Sequence, residues 1–286
     1  MFDLCAVGDL KWLIILSVSY FPRQGEMTFI TKTERQIGND ASIVALLASR
    51  LGMRCRLLPT NAIARHDGSP LLDLLQQNGV DISQIDTNGT STTNTFCLLP
   101  VDADERTWLV EDCPFRDFAA LDRPADYRFA YLDLYEEYLE ERLALLNRWS
   151  QSNVRCLVNL SSSHLEEKLQ RLAQLSSVDI IQMRGSGSIK EAIAWGRHVL
   201  QTCRARATVI TLGSSGAVLL DQHNEHVIPA EPIQPLRTVS AGASFAAGLL
   251  YALSNGSSYL DAATFASKHA ASFCTSGENP VEVKSI

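Results

Sequence analysis

The stretch TVSAGASFAAGLLYALSNG (residues 238–256) joins a short turn of small residues to an apolar helix. Residues 240–244 form the turn. A helix that begins in this way presents free backbone N–H groups, and its dipole favours an anion at that end. The turn contains no carboxylate, lysine or histidine. The stretch therefore predicts a phosphate site without the side chains of a catalyst, or else a tight helix start packed under a sheet.

A regular alternation of strands and helices leads up to this stretch. After Cys113, strands with near-continuous apolar residues alternate with amphipathic helices, as in FAYLDLY (residues 129–135) followed by EEYLEERLALLNRWSQ (residues 136–151). This rhythm predicts an α/β fold, with a mostly parallel sheet covered by helices on both faces. Ligands bind such sheets at the carboxyl ends of the strands. The 286 residues suffice for one large α/β domain with a small appendage.

The first half of the chain carries weaker signals. Residues 1–18 read as a strand or a split pair of strands. Asn39 or Asp40 is expected to cap a helix that ends at Gly52, and Ser69 to cap one that ends at Gly79. Residues 80–110 have a short, β-like pattern with an Asp-Ala-Asp turn at residues 102–104.

Composition excludes several classes of protein. The net charge of −7, without a basic stripe, argues against nucleic acid as a partner. The apolar segment LIILSVSYF (residues 13–21) is far shorter than the roughly 20 residues of a membrane-spanning helix and is expected to be a strand. Seven scattered cysteines without a CxxC pair favour reduced core thiols, and hence a cytoplasmic protein.

A second glycine-bearing turn precedes the opening stretch by about twenty residues. In VITLGSSGAVLL (residues 209–220), a buried strand ends at Thr211, and Gly213 and Gly216 bracket a tight turn. Glycines let a backbone approach a ligand closely, and the nearby hydroxyls bond phosphate oxygens. By itself the segment also fits a plain hairpin turn. Together with the helix start after it, it favours a phosphate-binding loop.

Five segments in order resemble one known family. They are GD at residues 8–9, IGNDASIVALLASRLG (37–52), NGVDISQI with ADERTWLVED (78–85 and 103–112), ITLGSSGAVLL (210–220) and VSAGASFAAGLLYAL (239–253). Over nearly its full length the chain resembles the ribokinase-like (PfkB) carbohydrate kinases. The resemblance implies one domain over residues 1–286, a three-layer αβα sandwich with a mostly parallel central sheet. It also implies a small β lid formed by about residues 12–36 and 81–111, through which a homodimer is expected.

The resemblance implies transfer of the γ-phosphate of ATP to a sugar hydroxyl, with one aspartate accepting the hydroxyl proton. Without a gap, that aspartate falls on Ala243, and the aspartate that opens the signature falls on Arg237. The chain is therefore identified as a degenerate member, impaired or inactive in sugar phosphorylation, with no catalytic residue at that position. It keeps the positions that bind ATP, ADP or another phosphate compound. These nucleotide- or anion-binding positions are Thr211, Gly213, Gly216, Ala241, Gly242 and Ala243.

Two further parts of the family's site are also altered. The resemblance places the sugar pocket at Leu13, Gly38, Asn39 and Ile43, where leucine and isoleucine replace groups that bond sugar hydroxyls. Such a pocket would reject a polyol, whose hydroxyls would lose water without finding partners. The family's Asn-x-x-Glu segment falls on RGSG (residues 184–187), which argues against an organised magnesium site; only a shifted alignment would recruit Glu191.

Two alternatives remain open. One is an enzyme that reuses the pocket for a less polar substrate, with a base from elsewhere. The other is an active kinase with a displaced base. Ser244 adjoins the base position, but an unassisted hydroxyl is a poor base near neutral pH. The candidates for a base are Asp9, Asp40 and His269. Their plainer roles are strand-end solvation for Asp9, a helix cap for Asp40 and a helix surface for His269. Two arginines, Arg106 and Arg116, could face an anion, and their plainer role is exposed surface.

Overall fold

A computed structural model describes residues 1–100, 106–113, 116, 122–135, 138–160, 164–175 and 178–283. The expected turn at residues 102–104 lies outside these ranges. Strands and helices alternate where the sequence predicted them. The strands are β1 (Phe2–Gly8), β2 (Lys11–Val18), β3 (Ile30–Gly38), β4 (Cys55–Pro59), β5 (Asn94–Pro100), β6 (Thr107–Val110), β7 (Tyr127–Leu134), β8 (Arg155–Leu160), β9 (Ile180–Arg184), β10 (Ala207–Thr211), β11 (Ala217–Asp221) and β12 (Glu225–Ile228). The helices are α1 (Asp40–Arg50), α2 (Arg65–Gln77), α3 (Leu139–Ser150), α4 (Leu165–Leu172), α5 (Ile189–Cys203), α6 (Ala241–Ser254) and α7 (Tyr259–Thr275).

The main sheet has the order β12-β11-β10-β9-β8-β7-β1-β4. Its strands from β10 to β4 are parallel, and β11 and β12 form an antiparallel hairpin at one edge. Its register brings three polar residues into one row across the sheet, because Asp133 on β7 pairs with Asn159 on β8, which pairs with Gln182 on β9. This row lies near the carboxyl ends of the strands.

Helices cover both faces of this sheet, which confirms the expected three-layer arrangement. One face packs under α1, α2, α6 and α7, with Leu4, Tyr131 and Val209 among the buried strand residues. The other face packs under α3, α4 and α5, with Val7, Leu132 and Ile210 inward. The continuous apolar runs of β1, β7 and β10 follow from this arrangement, since alternate side chains enter two separate cores.

A smaller, four-stranded sheet with the order β3-β2-β5-β6 stands apart from the main one. The chain enters it directly after β1, so the predicted split pair of strands belongs to two different sheets. Within the part of the chain that the structure describes, no helix is long and apolar enough to cross a membrane. All seven cysteines are buried and unpaired.

One predicted helix boundary was wrong. Ser69 lies inside α2, which begins at Arg65, and not at its N-cap. Pro70 is the sixth residue of the helix, where it removes one backbone hydrogen bond to the carbonyl of His66. The true N-cap residue is Ala64, which offers no capping side chain. The N-cap predicted at Ser69 therefore lies five residues after the observed one.

Candidate phosphate site and the cleft beside it

The N-terminus of α6 forms an open turn. Ser240 precedes the helix with a φ of 69°, and its side chain makes no capping hydrogen bond. Gly242, in the first helical turn, is exposed, and a Cβ added there would meet no atom within 4 Å. The first amides of a helix have no partner within the helix, so those of Gly242 and Ala243 are available to a ligand. The geometry suits a phosphate oxygen approaching the backbone.

Side chains from distant parts of the chain hold this turn in place. Gln36 on β3 donates its Nε2 to the Ser240 hydroxyl over 3.0 Å, and Asn279 donates to Gln36 Oε1 over 2.9 Å. Arg237 donates to the carbonyl oxygens of Phe273 and Ser276, at the end of α7. Arg237 thus anchors the loop to α7. Ser240 has a left-handed backbone conformation, which glycine adopts at lower cost, and the contacts of the turn stabilise that conformation.

The residues expected at the base position are buried. Ala243 is 2% exposed, and among the described residues the first turn of α6 contains no acidic side chain. Ser244 faces away from the turn, with its hydroxyl 3.0 Å from Nδ1 of His269 on α7. His269 is therefore a half-buried contact between α6 and α7, and its interpretation as a helix-surface residue was wrong. Burial lowers the pKa of His269.

The loop after β10 lies at the same edge of the sheet. Thr211 is half-buried at the strand end, and Gly213 is exposed with a φ of 58° and open space at its Cβ position. Gly216 differs, because a Cβ there would lie 2.1 Å from the carbonyl oxygen of Ile228. The geometry leaves Gly213 open to a ligand and gives Gly216 a packing role against the last strand.

One predicted arginine reaches the site. Arg106, at the start of β6 in the smaller sheet, donates a hydrogen bond to the hydroxyl of Thr238, two residues before the α6 turn. It is half-buried rather than exposed. Arg116 is also half-buried, but it bonds the carbonyl oxygen of Gln84. Both interpretations as exposed surface arginines were wrong, and Arg106 alone brings a positive charge towards the turn.

Apolar packing occupies the predicted sugar pocket. Leu13 is 4% exposed and lies in a small buried cluster with Ile15, Cys97 and Val239. Gly38 contacts the backbone of Leu13, since an added Cβ would lie 3.0 Å from the Leu13 nitrogen. This cluster joins the smaller sheet to the residue that precedes the Ser240 turn.

The other two pocket residues have structural contacts. Ile43 is 1% exposed, within the core under α1. Asn39 caps α1 by accepting from the amide of Ala41, so Asp40 is not the cap. The sequence left Asn39 and Asp40 as alternatives for this role, and the structure assigns it to Asn39.

Just after the segment aligned with the family's Asn-x-x-Glu motif, the Glu191 carboxylate belongs to a helix cap. Glu191 accepts from the amide and the hydroxyl of Ser188, which closes a capping box at the start of α5. Arg184 is exposed at the end of β9. Among the described residues, no group of three or more His, Cys, Asp or Glu side chains is arranged to hold a metal ion.

Two carboxylates meet beside α6, and sequence reasoning missed one of them. Asn159 donates to Asp40 Oδ2 over 3.0 Å and to Asp133 Oδ1 over 3.3 Å. Asp133 is fully buried and also accepts from the Ala41 amide and the Tyr131 hydroxyl. Burial, together with the neighbouring Asp40 charge, raises the pKa of Asp133 to about 7. Burial also raises the pKa of Asp40. Only the sheet register reveals this pairing.

The third predicted base candidate is an ion-pair residue. Asp9 is 5% exposed and lies 3.1 Å from Lys11 Nζ and 3.4 Å from Arg142 Nη2. Burial opposes ionisation of Asp9, but these two cations hold its pKa below the usual value. The interpretation of Asp9 as a solvated strand end was wrong. Lys11 also donates to the carbonyl oxygen of Glu111, so the network joins the start of β2 to the residue that follows β6.

Two surface cavities, of about 570 and 270 Å³, lie at the opposite edge of the main sheet. Arg155, at the start of β8, lines both, and none of the predicted site residues lines either. The α6 turn is thus an open surface feature at the other end of the strands.

Comparison with known proteins agrees with the fold. The model of the pfkB family of carbohydrate kinases matches residues 4–279. The chain belongs to the pfkB family. Its order of segments, its three-layer sandwich and its separate small sheet are those expected from the resemblance.

Characterised members of the pfkB family share about a quarter of their residues with this chain. The aminoimidazole riboside kinase of Salmonella typhimurium is 26% identical over 245 residues, 76% of this chain and 73% of that kinase. The nucleoside kinase of Methanothermobacter thermautotrophicus is 26% identical over 93% of this chain and 87% of its own.

Solved structures show the same fold. The ribokinase of Cryptococcus neoformans, crystallised with ADP, has a TM-score of 0.79 at 18% identity, over 98% of this chain and 97% of its own. The nucleoside kinase of Burkholderia thailandensis, in complex with inosine, has a TM-score of 0.76 at 15% identity, over 99% and 94% of the two chains.

Proposed function

We propose that this pfkB homologue binds ATP, ADP or a related phosphate compound at the N-terminus of α6 and is impaired in ATP-dependent sugar phosphorylation. One observation carries the proposal. The first turn of α6 is open at Gly242, while the position expected for the catalytic base holds Ala243 and no acidic side chain lies in that turn. The turn can therefore hold an anion, but it offers no proton acceptor to a sugar hydroxyl.

Family membership supports a nucleotide as the ligand, since a relative of the same fold binds ADP. Phosphate oxygens would accept hydrogen bonds from the Gly242 and Ala243 amides, in the field of the helix dipole. The half-buried Arg106 adds a positive charge beside Thr238, and the open Gly213 turn lies at the same edge of the sheet. A magnesium ion carried by the nucleotide would neutralise phosphate charge when bound.

We expect impaired sugar phosphorylation because two separate requirements are missing, a general base and the groups that bind sugar hydroxyls. Loss of a general base alone typically lowers the rate by about 10²–10⁴-fold. Leu13 and Ile43 are buried apolar residues where the resemblance places hydroxyl-binding groups. A sugar entering there would lose water without regaining hydrogen bonds, which weakens its binding further.

The experiment is an assay of ADP release with magnesium ATP and each of ribose, fructose and inosine, alongside the M. thermautotrophicus nucleoside kinase. We expect turnover at least about 10²-fold below the relative's rate on its preferred acceptor. A rate equal to the relative's, with any of the three acceptors, would contradict impairment. Nucleotide binding measured on the same sample shows whether the phosphate site is intact.

A second candidate function is phosphorylation of a less polar acceptor. The observation that favours it is the apolar cluster of Leu13, Ile15, Cys97 and Val239, which borders the α6 turn. An acceptor alcohol with an apolar body would suit these residues better than a polyol. Turnover with short-chain alcohols and none with sugars would support this candidate, whereas equal inactivity with both would exclude it.

We also propose a homodimer formed through the smaller sheet. Its two edge strands and the loop before β3 expose several large apolar side chains. Sedimentation analysis of the wild type and of Leu109→Lys tests the proposal, and a monomeric wild type would contradict it. The exposed apolar residues are Met27, Phe29, Ile30, Trp108, Leu109 and Val110.

A further inference from the structure

We propose that Asp40, supported by Asp133, is an acid–base site that accepts the proton of a water or alcohol attacking a phosphoryl group held on the α6 turn. This inference rests on the proposed phosphate site, but it assigns a proton acceptor to a different helix. It would provide slow phosphoryl transfer in the absence of a carboxylate at residue 243.

The position of Asp40 is the first observation that supports the proposal. The half-buried Asp40 begins α1, and its carboxylate is fixed by Asn159 over 3.0 Å and by a hydrogen bond with Tyr135. Asn39 and Asp133 both accept a hydrogen bond from the Ala41 amide, so Asp40 is not needed as a cap. A half-buried carboxylate held by neutral donors, with no cation paired to it among the described residues, is suited to proton transfer.

The sheet register brings this carboxylate near the phosphate site. Asn159 pairs with Gln182 on the next strand, and Gln182 donates its Nε2 to the Gly242 carbonyl over 3.0 Å. Asn159 in turn donates to Asp40 over 3.0 Å. Two hydrogen bonds and one step between neighbouring strands, which are about 4.8 Å apart, therefore connect Asp40 with the first turn of α6.

A buried acceptor between the two sites points independently to a ligand. Gln182 is 3% exposed, and its Oε1 has no hydrogen-bond partner among the described residues. An unmade hydrogen bond to a buried oxygen costs free energy, and a hydroxyl or water donor would satisfy it. The Gln182 side chain already contacts the first turn of α6 through its other atom. A molecule that carries a hydroxyl group is thus the chemical class that would satisfy the Gln182 acceptor.

Asp133 determines the protonation state of Asp40. Two carboxylates that share one donor cannot both ionise easily, so the pair holds one proton near neutral pH, mainly on buried Asp133. Asp40 then remains available as the proton acceptor. The other charged or titratable groups facing the pair are Tyr131, Tyr135, Arg142 and Asp9. Of these, Arg142 bonds the Asp133 carbonyl oxygen over 2.7 Å and pairs with Asp9.

The step balances without a further reactant. The acceptor O–H bond breaks, and its proton passes to the Asp40 carboxylate. The acceptor oxygen forms a bond to the γ-phosphorus while the bond from that phosphorus to the bridging oxygen breaks, and its electron pair leaves with ADP. Asp40 afterwards releases its proton to water.

The test measures ADP release from magnesium ATP, first with water and then with glycerol as the acceptor. The wild type is compared with Asp40→Asn and with the matched control Asp73→Asn. Asp73 is an exposed aspartate on α2. Slow wild-type turnover that falls at least about tenfold in D40N but not in D73N, with ADP affinity unchanged in calorimetry, supports the proposal. Absence of wild-type turnover, or equal turnover in D40N, would overturn it. Loss of ADP binding by the wild type would instead contradict the proposed function.

Two further variants separate chemistry from structure. Asp40→Glu keeps a proton acceptor and is expected to retain more turnover than D40N. Asp133→Asn removes the group that ionises near pH 7, so the change in turnover that the wild type shows around pH 7 is expected to disappear. If D133N keeps that change, or if D40E is as inactive as D40N, Asp40 has only a structural role. These readouts hold even if D40N is unstable.

Discussion

Leu13 and Val239 lie in one buried apolar cluster, although Leu13 belongs to the smaller sheet and Val239 directly precedes the Ser240 turn of α6. The contact ties the smaller sheet to the candidate phosphate site. It also replaces, with a hydrophobic junction, the polar sugar pocket expected from the resemblance. The proposed loss of sugar binding and the stability of the site therefore depend on the same two residues.

Restoring a carboxylate at residue 13 should unfold this junction rather than rebuild a sugar pocket. Leu13→Asp places a charge at a 4% exposed position without a cation beside it in the cluster. We expect the free energy of unfolding to fall by about 3–5 kcal/mol in urea denaturation. The control Leu236→Asp, at a 68% exposed position, should change it by less than about 0.5 kcal/mol. Equal stability of L13D and wild type would show that the junction is open.

Gly242 should matter for the ligand and not for the fold. Gly242→Ala adds a methyl group in open space within a helix, so stability should stay constant or rise by up to about 1 kcal/mol. The methyl group crowds the approach of a phosphate, and we expect ADP affinity to fall about tenfold, or 1.4 kcal/mol. Gly277→Ala, also in open space, is the control with neither effect. Unchanged ADP affinity in G242A would place the ligand elsewhere.

Gly216 should show the opposite behaviour. Its φ is 90°, and a Cβ would lie 2.1 Å from the Ile228 carbonyl oxygen. Gly216→Ala should therefore lower the free energy of unfolding by more than about 2 kcal/mol, measured by thermal and urea denaturation. A stable G216A that has lost ADP binding would instead make Gly216 a ligand contact.

Ser244 should contribute to stability alone. Its hydroxyl is buried against His269, away from the open side of the turn. Ser244→Ala should cost about 1 kcal/mol of stability and leave ADP binding and turnover within about twofold of wild type. A large loss of turnover at unchanged stability would identify Ser244 as a reacting group.

The Asp133 carboxyl predicts a pH dependence of stability. Its pKa is raised to about 7 in the folded protein, above the ordinary value of 3.8, so the folded state binds the proton more tightly. By linkage, its contribution to stability is present at low pH and is lost as the pH rises through 7. Relative to Asp133→Asn, the wild type should therefore lose free energy of unfolding between pH 5 and pH 8. A difference that stays constant over this range would contradict the raised pKa.

Much of the fold could be predicted because local signals and global topology agree. The apolar runs of β7 to β10 and the small-residue start of α6 have one consistent interpretation, and the structure confirms the parallel sheet. The cap at Ser69 was wrong because Arg65 to Gly68 extend the helix without a capping side chain. Tertiary packing, with Gly68 against Ile63 and Thr92, determines that start.

The cleft beside α6 could not be predicted from spacing. Asp40, Asp133 and Asn159 are far apart in the chain and meet only through the register of β7 and β8. Asp9, likewise, looked solvated because its partner Arg142 comes from α3. By contrast, the open turn at Gly242 follows from local sequence, because small residues at a helix start leave amides free.

Calorimetric titration of the purified protein with ATP and ADP, with and without magnesium, measures ligand binding at the α6 turn. We expect saturable binding at micromolar to low millimolar concentrations, weakened in Gly242→Ala and unchanged in Asp40→Asn. Absence of binding by the wild type up to several millimolar, with or without magnesium, would contradict the claim that the phosphate site of the pfkB family survives in this chain.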